Sequence, residues 1–195
     1  MVVLLVVFLA ACVTESTGGL PPAAEDTVRL KAQLDLARGY FASNDWARAR
    51  APLNRAREID SRSAEVYVLL ALLSQREDDL EIAESHFKKA LKIDADHPQA
   101  LNNYGTFLYG QGRYREALVP LRRLVKNSDY RLRAQAYENL GLTELKVGTE
   151  RAAKAAFSRA LRLNFGQPRS TLEMAEIAYS EGNFDSARNY YEGFR

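Results

Sequence analysis

The chain has 195 residues, of which 47% are hydrophobic and 27% charged, with only 11 Gly, 6 Pro and one Cys. So few breakers beside 28 Ala describe a helical chain, and exclude collagen, disordered and disulfide-stapled classes. A formal charge of +2 is too balanced for a dedicated nucleic-acid binder, and two His with one Cys leave no zinc cluster and no internal disulfide.

Met1 to Val13 (MVVLLVVFLAACV) carries no charge. It is too short to cross a bilayer, which takes about 20 helical residues, and its length fits the apolar region of a secretory signal. Leu9-Ala10-Ala11-Cys12 is similar to a bacterial lipobox. That resemblance implies a signal peptide over 1–12, removed to leave Cys12 as a lipidated N-terminus. Val13, rather than Asp, follows the cysteine, which by the lipoprotein sorting rule implies the outer membrane, with the protein facing the periplasm. No Lys or Arg precedes the apolar run, so a start upstream with a few basic residues is expected. Residues 13–29, with Gly18-Gly19 and Pro21-Pro22, read as a flexible tether.

From residue 30 the chain repeats itself. Ala49, Ala83, Ala117, Ala153 and Ala187 are spaced 34, 34, 36 and 34 apart. Twelve residues before each stands Ala37, Ala71, Gly105, Gly141 or Ala175, and four after each comes Leu53, Phe87, Leu121, Phe157 or Tyr191. This is the tetratricopeptide (TPR) pattern: an all-α right-handed solenoid of antiparallel helix pairs, A and B, over 30–195. The units are 30–63, 64–97, 98–133, 134–167 and 168–195, the third carrying two extra residues within 127–133. The fifth stops inside helix B, so a clipped C-terminus is expected. Pro52 and Pro120 fall inside helices B, where each removes one backbone donor, predicting a kink or a gap opposite the carbonyls of Arg48 and Glu116.

No nucleophile elbow, phosphate loop or metal-ligand spacing is present, so the chain reads as a non-enzymatic binding protein needing no cofactor or metal. Its predicted binding face is the concave side lined by helices A, including Leu34 and Val68 among the early units. The partner-binding candidates are Asn102, Thr106, Tyr109, Glu138, Asn139, Leu142, Glu176 and Tyr179. Asn offers a peptide backbone both a donor and an acceptor, and Tyr an apolar wall with a polar tip. The alternative for the Asn residues is a bond between neighbouring helices A. Charge is uneven: the predicted helices B hold 17 Lys/Arg against 6 Asp/Glu, and helices A 5 against 6. Complementing helix dipoles or facing an anionic surface would each account for that.

Leu101-Asn102-Asn103-Tyr104-Gly105 with Phe107-Leu108-Tyr109 resembles the PilF/PilW family of type IV pilus biogenesis lipoproteins. So do Glu138-Asn139-Leu140-Gly141-Leu142, Leu161-Arg162-Leu163-Asn164 with Gln167-Pro168, and Leu172-Glu173-Met174-Ala175. Members carry six units. The resemblance implies a pilotin, an outer-membrane lipoprotein that binds the secretin subunit (PilQ-like) and promotes its localisation and multimerisation. Type IV pilus assembly proteins are the implied partners, and nucleic acid is not one. The alternative is another lipid-anchored periplasmic TPR scaffold, serving envelope assembly or cell-wall hydrolases.

Overall fold

The computed structural model describes residues 22–194, which form ten α-helices and no strand. They are α1 (Pro22–Ala42), α2 (Trp46–Ile59), α3 (Ala64–Arg76), α4 (Leu80–Ile93) and α5 (Pro98–Gly110). Then come α6 (Tyr114–Leu124), α7 (Arg133–Val147), α8 (Glu150–Leu163), α9 (Pro168–Ser180) and α10 (Phe184–Phe194). Odd-numbered helices are the A helices and even-numbered ones the B helices. The expected lipidation site, Cys12, lies outside the described residues. Residues 22–29, expected within the tether, instead open α1: Pro22 begins the helix and Ala23, Ala24 and Glu25 follow it. A first-turn Pro forfeits no intrahelical bond.

Each A–B turn is made at the same place, position 15 of its unit. Asn44 (φ 57°), Asp78 (φ 65°), Gly112 (φ 72°), Gly148 (φ 86°) and Gly182 (φ 75°) all adopt the left-handed conformation. Gly takes it freely, and Asn and Asp tolerate it better than other residues.

Within a unit, the small residue at position 8 faces the large one at position 24. A Cβ placed on Gly105 would lie 2.7 Å from the Leu121 side chain, and one on Gly141 2.5 Å from the Phe157 ring. The next helix A then covers the large residue. Leu53 packs with Leu70 and Leu73, Phe87 with Phe107, and Phe157 with Met174 and Ile177. Leu53, Phe87, Leu121 and Phe157 are therefore 0% exposed, each burial contributing about 1.5–3 kcal/mol. Tyr191, at the same position of the fifth unit, is 56% exposed.

Polar bridges reinforce the stacking. Arg50 pairs with Glu77, and Lys154 with Glu181, each joining a helix B to the end of the next helix A. Arg122 of α6 reaches Glu144 of α7 at 2.7 Å; that carboxylate is only 4% exposed and also accepts from the Thr149 hydroxyl. Arg113 binds Glu84 through both terminal nitrogens, at 2.6 and 3.0 Å, and Tyr104 donates to Glu84 at 3.0 Å. Arg113, helped by Lys88 and Tyr104, holds the Glu84 carboxyl down to about 2, against desolvation that pushes the other way. Desolvation first, then the Glu84 contact, pushes the Tyr104 hydroxyl up to about 12.

Two departures from regularity remain. Pro52 and Pro120 are buried within continuous helices, so the expected disruption is confined to single missing bonds; Arg48 and Glu116, whose carbonyls lose their donors, are exposed. α6 has 11 residues where α2, α4 and α8 have 14. The connector 125–132 that follows is longer than 60–63, 94–97 or 164–167. Arg133 Nε donates to the Val125 carbonyl at 3.0 Å, satisfying an acceptor at the shortened helix end.

Gly141→Ala should lower stability by on the order of 1 kcal/mol in urea unfolding, because overpacking against a ring costs about 1–3 kcal/mol and outweighs about 1 kcal/mol of helix propensity. A stabilised variant would contradict the position 8–24 contact. Glu84 titrates lower in the folded than in the unfolded state, so its contribution is complete above an ordinary glutamate value of 4.5 and disappears as pH falls toward about 2. Glu84→Gln should flatten the acid limb of stability against pH, by on the order of 2 kcal/mol.

Candidate functional site

Helices A of successive units touch one another (α3 with α5, α5 with α7, α7 with α9), whereas successive helices B stand further apart. The A side is therefore the concave one. Of the residues expected to line it, Leu34 and Val68 do not. They are 5% and 3% exposed: Leu34 packs with Leu53 and Val66, and Val68 with Ala90 and Ala100. Position 5 of the early units belongs to the core.

In units three and four the lining is polar and internally bonded. Asn139 Nδ2 donates to Asn102 Oδ1 at 3.3 Å, and Asn102 Nδ2 donates to Asn103 Oδ1 at 3.2 Å. The Asn residues thus tie α5 to α7, and Asn103 completes a chain of three amides. Asn103 and Asn139 occupy the same position, 6, of consecutive units, a coincidence visible in the repeat alignment. Glu138 is engaged as well: its Oε2 accepts from the Ser170 backbone N–H at 2.9 Å and hydroxyl at 2.8 Å, closing the first turn of α9.

Thr106 is exposed, its hydroxyl donating to the Asn103 carbonyl at 3.0 Å. Tyr109 is half-buried, edge-on to Tyr114 with ring centres 5.2 Å apart, and Leu142 packs beside Met174 and Ile177. Glu176 and Tyr179 belong to a different locality. With Leu172, Phe184, Arg188 and Tyr191 they line an apolar hollow of about 520 Å³ on the fifth unit. Tyr179 is 67% exposed and edge-on to Phe184. Burial, then the neighbouring Glu176, raises the Glu173 carboxyl, opposed by Arg169. The candidates therefore form an amide cluster at Asn102–Asn139 and an aromatic hollow at Tyr179, the latter on the face of the fifth unit that in earlier units the next helix A covers. Phe184 and Tyr191 were outside the candidate set, although position 24 had marked Tyr191 as a packing residue.

Both histidines serve local structure. His97 Nδ1 accepts from the Ala100 N–H at 3.3 Å and caps α5, and His86 lies against Tyr67 with ring centres 5.9 Å apart. Burial, then Arg57, lowers the His86 imidazole. Among the described residues no group of three or more His, Cys, Asp or Glu could hold a metal ion, and no helix is long and apolar enough to cross a membrane. What the concave face offers is amide hydrogen bonding, aromatic area and a small acidic field.

Tetratricopeptide repeat models match residues 64–97, 86–119 and 139–194. The chain is 39% identical over 197 residues to the type IV pilus assembly protein PilF of Pseudomonas aeruginosa, covering 100% of this chain and 77% of that one. A structure of Pseudomonas aeruginosa PilF superposes with a TM-score of 0.84 at 38% identity, over 87% of this chain and 77% of that chain. The crystal structure of PilW, described as a widely conserved type IV pilus biogenesis factor, gives 0.75 at 25% identity, over 85% and 76%.

The amide pair predicts non-additive stability. Asn102→Ala and Asn139→Ala should each lose about 1 kcal/mol, and the double variant less than their sum, since both remove one hydrogen bond. Additive losses in urea unfolding would show that the amides do not act as a pair.

Proposed function

We propose that this chain, which belongs to the PilF family of type IV pilus assembly proteins, is a lipid-anchored pilotin. It carries the secretin subunit to the outer membrane and promotes its multimerisation there. The observation that carries this reading is the 39% identity to PilF over the whole chain, including the stretch around Cys12. Leu9-Ala10-Ala11-Cys12-Val13 supports lipidation and an outer-membrane destination facing the periplasm. A lipid anchor would confine carrier and cargo to one surface and raise their effective concentration.

In this reading the secretin segment docks on the concave side, supported by exposed Thr106, Glu176 and Tyr179 beside half-buried Tyr109 and Leu142. The amides of Asn102 and Asn139 retain hydrogen-bonding capacity beyond the bond between them, because each can make up to four. No bond is made or broken in this role, so the face needs binding groups and no nucleophile.

The test is complementation in a piliated host lacking the gene. The unaltered chain should restore heat-resistant secretin multimers in the outer-membrane fraction, and Cys12→Ser should not. Full multimer levels without the chain would rule out the pilotin role, leaving a scaffold for other envelope machinery. Tyr179→Ala should weaken secretin capture, by about 1 kcal/mol or more at a hot spot, with the melting temperature nearly unchanged, and Tyr109→Ala should weaken it at temperatures where that variant remains folded.

A further inference from the structure

The convex side carries a feature that neither packing nor partner capture on the concave side uses. Positions 22, 26 and 29 of a unit, spaced i, i+4 and i+7, fall on one stripe of helix B in units one, two and four; in unit three α6 ends at Leu124 and position 29 follows it. Position 26 is Arg55, Lys89, Arg123 and Arg159 in units one to four, and position 29 is Glu58, Lys92, Lys126 and Arg162. Seven of these eight side chains are cationic and all eight are exposed.

Two ordinary explanations fall short. Attraction to the helix dipole fades within the last turn. The last-turn cations of α2, α4 and α8 are Arg57, Lys92 and Arg162, which leaves Arg55, Lys89 and Arg159 outside its reach. Apart from Arg123, the cations that bridge units stand at other positions, among them those of Arg50, Arg113, Arg122 and Lys154. Within the stripe, Arg123 pairs with Asp96 at 2.6 Å, and Lys89 lies 5.7 Å from the Tyr67 ring centre. Arg55, Lys92, Lys126, Arg159 and Arg162 have no ion-pair partner among the described residues.

We propose that the convex stripe of helices B rests against an anionic lipid surface. Four arginines and three lysines recur along the stripe as an extended row of like charges rather than one converging set. Such an array reads charge density, which a fluid layer of anionic headgroups supplies. Position 22 keeps the stripe low with Ala51, Ser85 and Ala155, while Val119, 71% exposed, adds an aliphatic side chain of the kind that enters the headgroup region. The proposal rests on the lipid-anchored reading. With Cys12 in the bilayer, residues 13–21 reach at most about 30 Å, so the body stays within a few screening lengths of about 8 Å from the surface.

The test uses the full-length chain carrying Ser85→Trp, reconstituted into vesicles of phosphatidylcholine alone or mixed with phosphatidylglycerol, each doped with headgroup-spin-labelled lipid. The emission that Ser85→Trp adds to that of the native Trp46, taken as the difference from the unaltered chain, should be quenched in anionic vesicles only. The quenching should vanish at about 1 M salt, where the screening length is about 3 Å. It should also vanish in an Arg55→Glu, Lys89→Glu, Arg159→Glu variant, which keeps the last-turn cations Lys92 and Arg162 and whose melting is unchanged. Equal quenching in both vesicle types, none in either, or persistence after charge reversal would overturn the proposal. So would binding to soluble polyglutamate with no response to anionic lipid. Flotation reports the anchor separately: a chain that floats with anionic vesicles alone refutes the anchor and keeps the stripe, and one that floats with neither refutes both.

Discussion

The structure depends on one constraint: no helix pair can bury its own large side chain at position 24. Half of that side chain's surroundings come from a small residue across the same pair, and half from the helix A that follows. Leu53, Phe87, Leu121 and Phe157 meet both conditions and are fully buried, whereas Tyr191 meets only the first. From this follow the 34-residue spacing, the Ala or Gly at position 8, and a left-handed residue at every position 15 to bring the pair back on itself. A repeat of this kind is a nearest-neighbour system, in which each interface contributes its own share of stability.

Polar side chains extend the same logic to the rims. Arg122–Glu144 and Arg113–Glu84 bridge neighbouring units with one partner largely withdrawn from water. Removing one member of such a pair costs more than the pair contributes net, because it strands the other charge. On the concave side the competition is sharper, since side chains able to hold a partner are the same ones that hold the helices together. Asn102, Asn139 and Glu138 are committed in this way. In the proposed role, recognition falls chiefly to residues with free area, Thr106, Tyr109, Glu176 and Tyr179, beside the remaining amide valences of Asn102 and Asn139.

The solenoid was legible because its packing rule is periodic in sequence, and five copies of a small–large pair are hard to produce otherwise. The start of α1 was not, because residues 22–29 precede the first unit and share no period with it, although a Pro followed by Ala-Ala-Glu is a local helix signal. Leu34 and Val68 were placed on the concave side by position alone. Whether position 5 faces the groove or the core depends on how closely neighbouring helices A stack, which no single unit encodes. The Asn102–Asn139 bond joins position 5 of one unit to position 6 of the next, and depends on the same stacking geometry. The hollow at Tyr179 was legible only in part: Tyr179 was read from its place on helix A, whereas Tyr191 looked like every other packing residue.

The polar links that bind the stack are all short in sequence. The Arg50–Glu77 and Lys154–Glu181 bridges span 27 residues, Glu138–Ser170 spans 32 and Asn102–Asn139 spans 37. Each such interaction can close once little more than one unit of chain is available. Low contact order of this kind favours rapid folding. A polypeptide released from one end can therefore consolidate unit by unit, holding finished structure behind it while the remainder is still emerging.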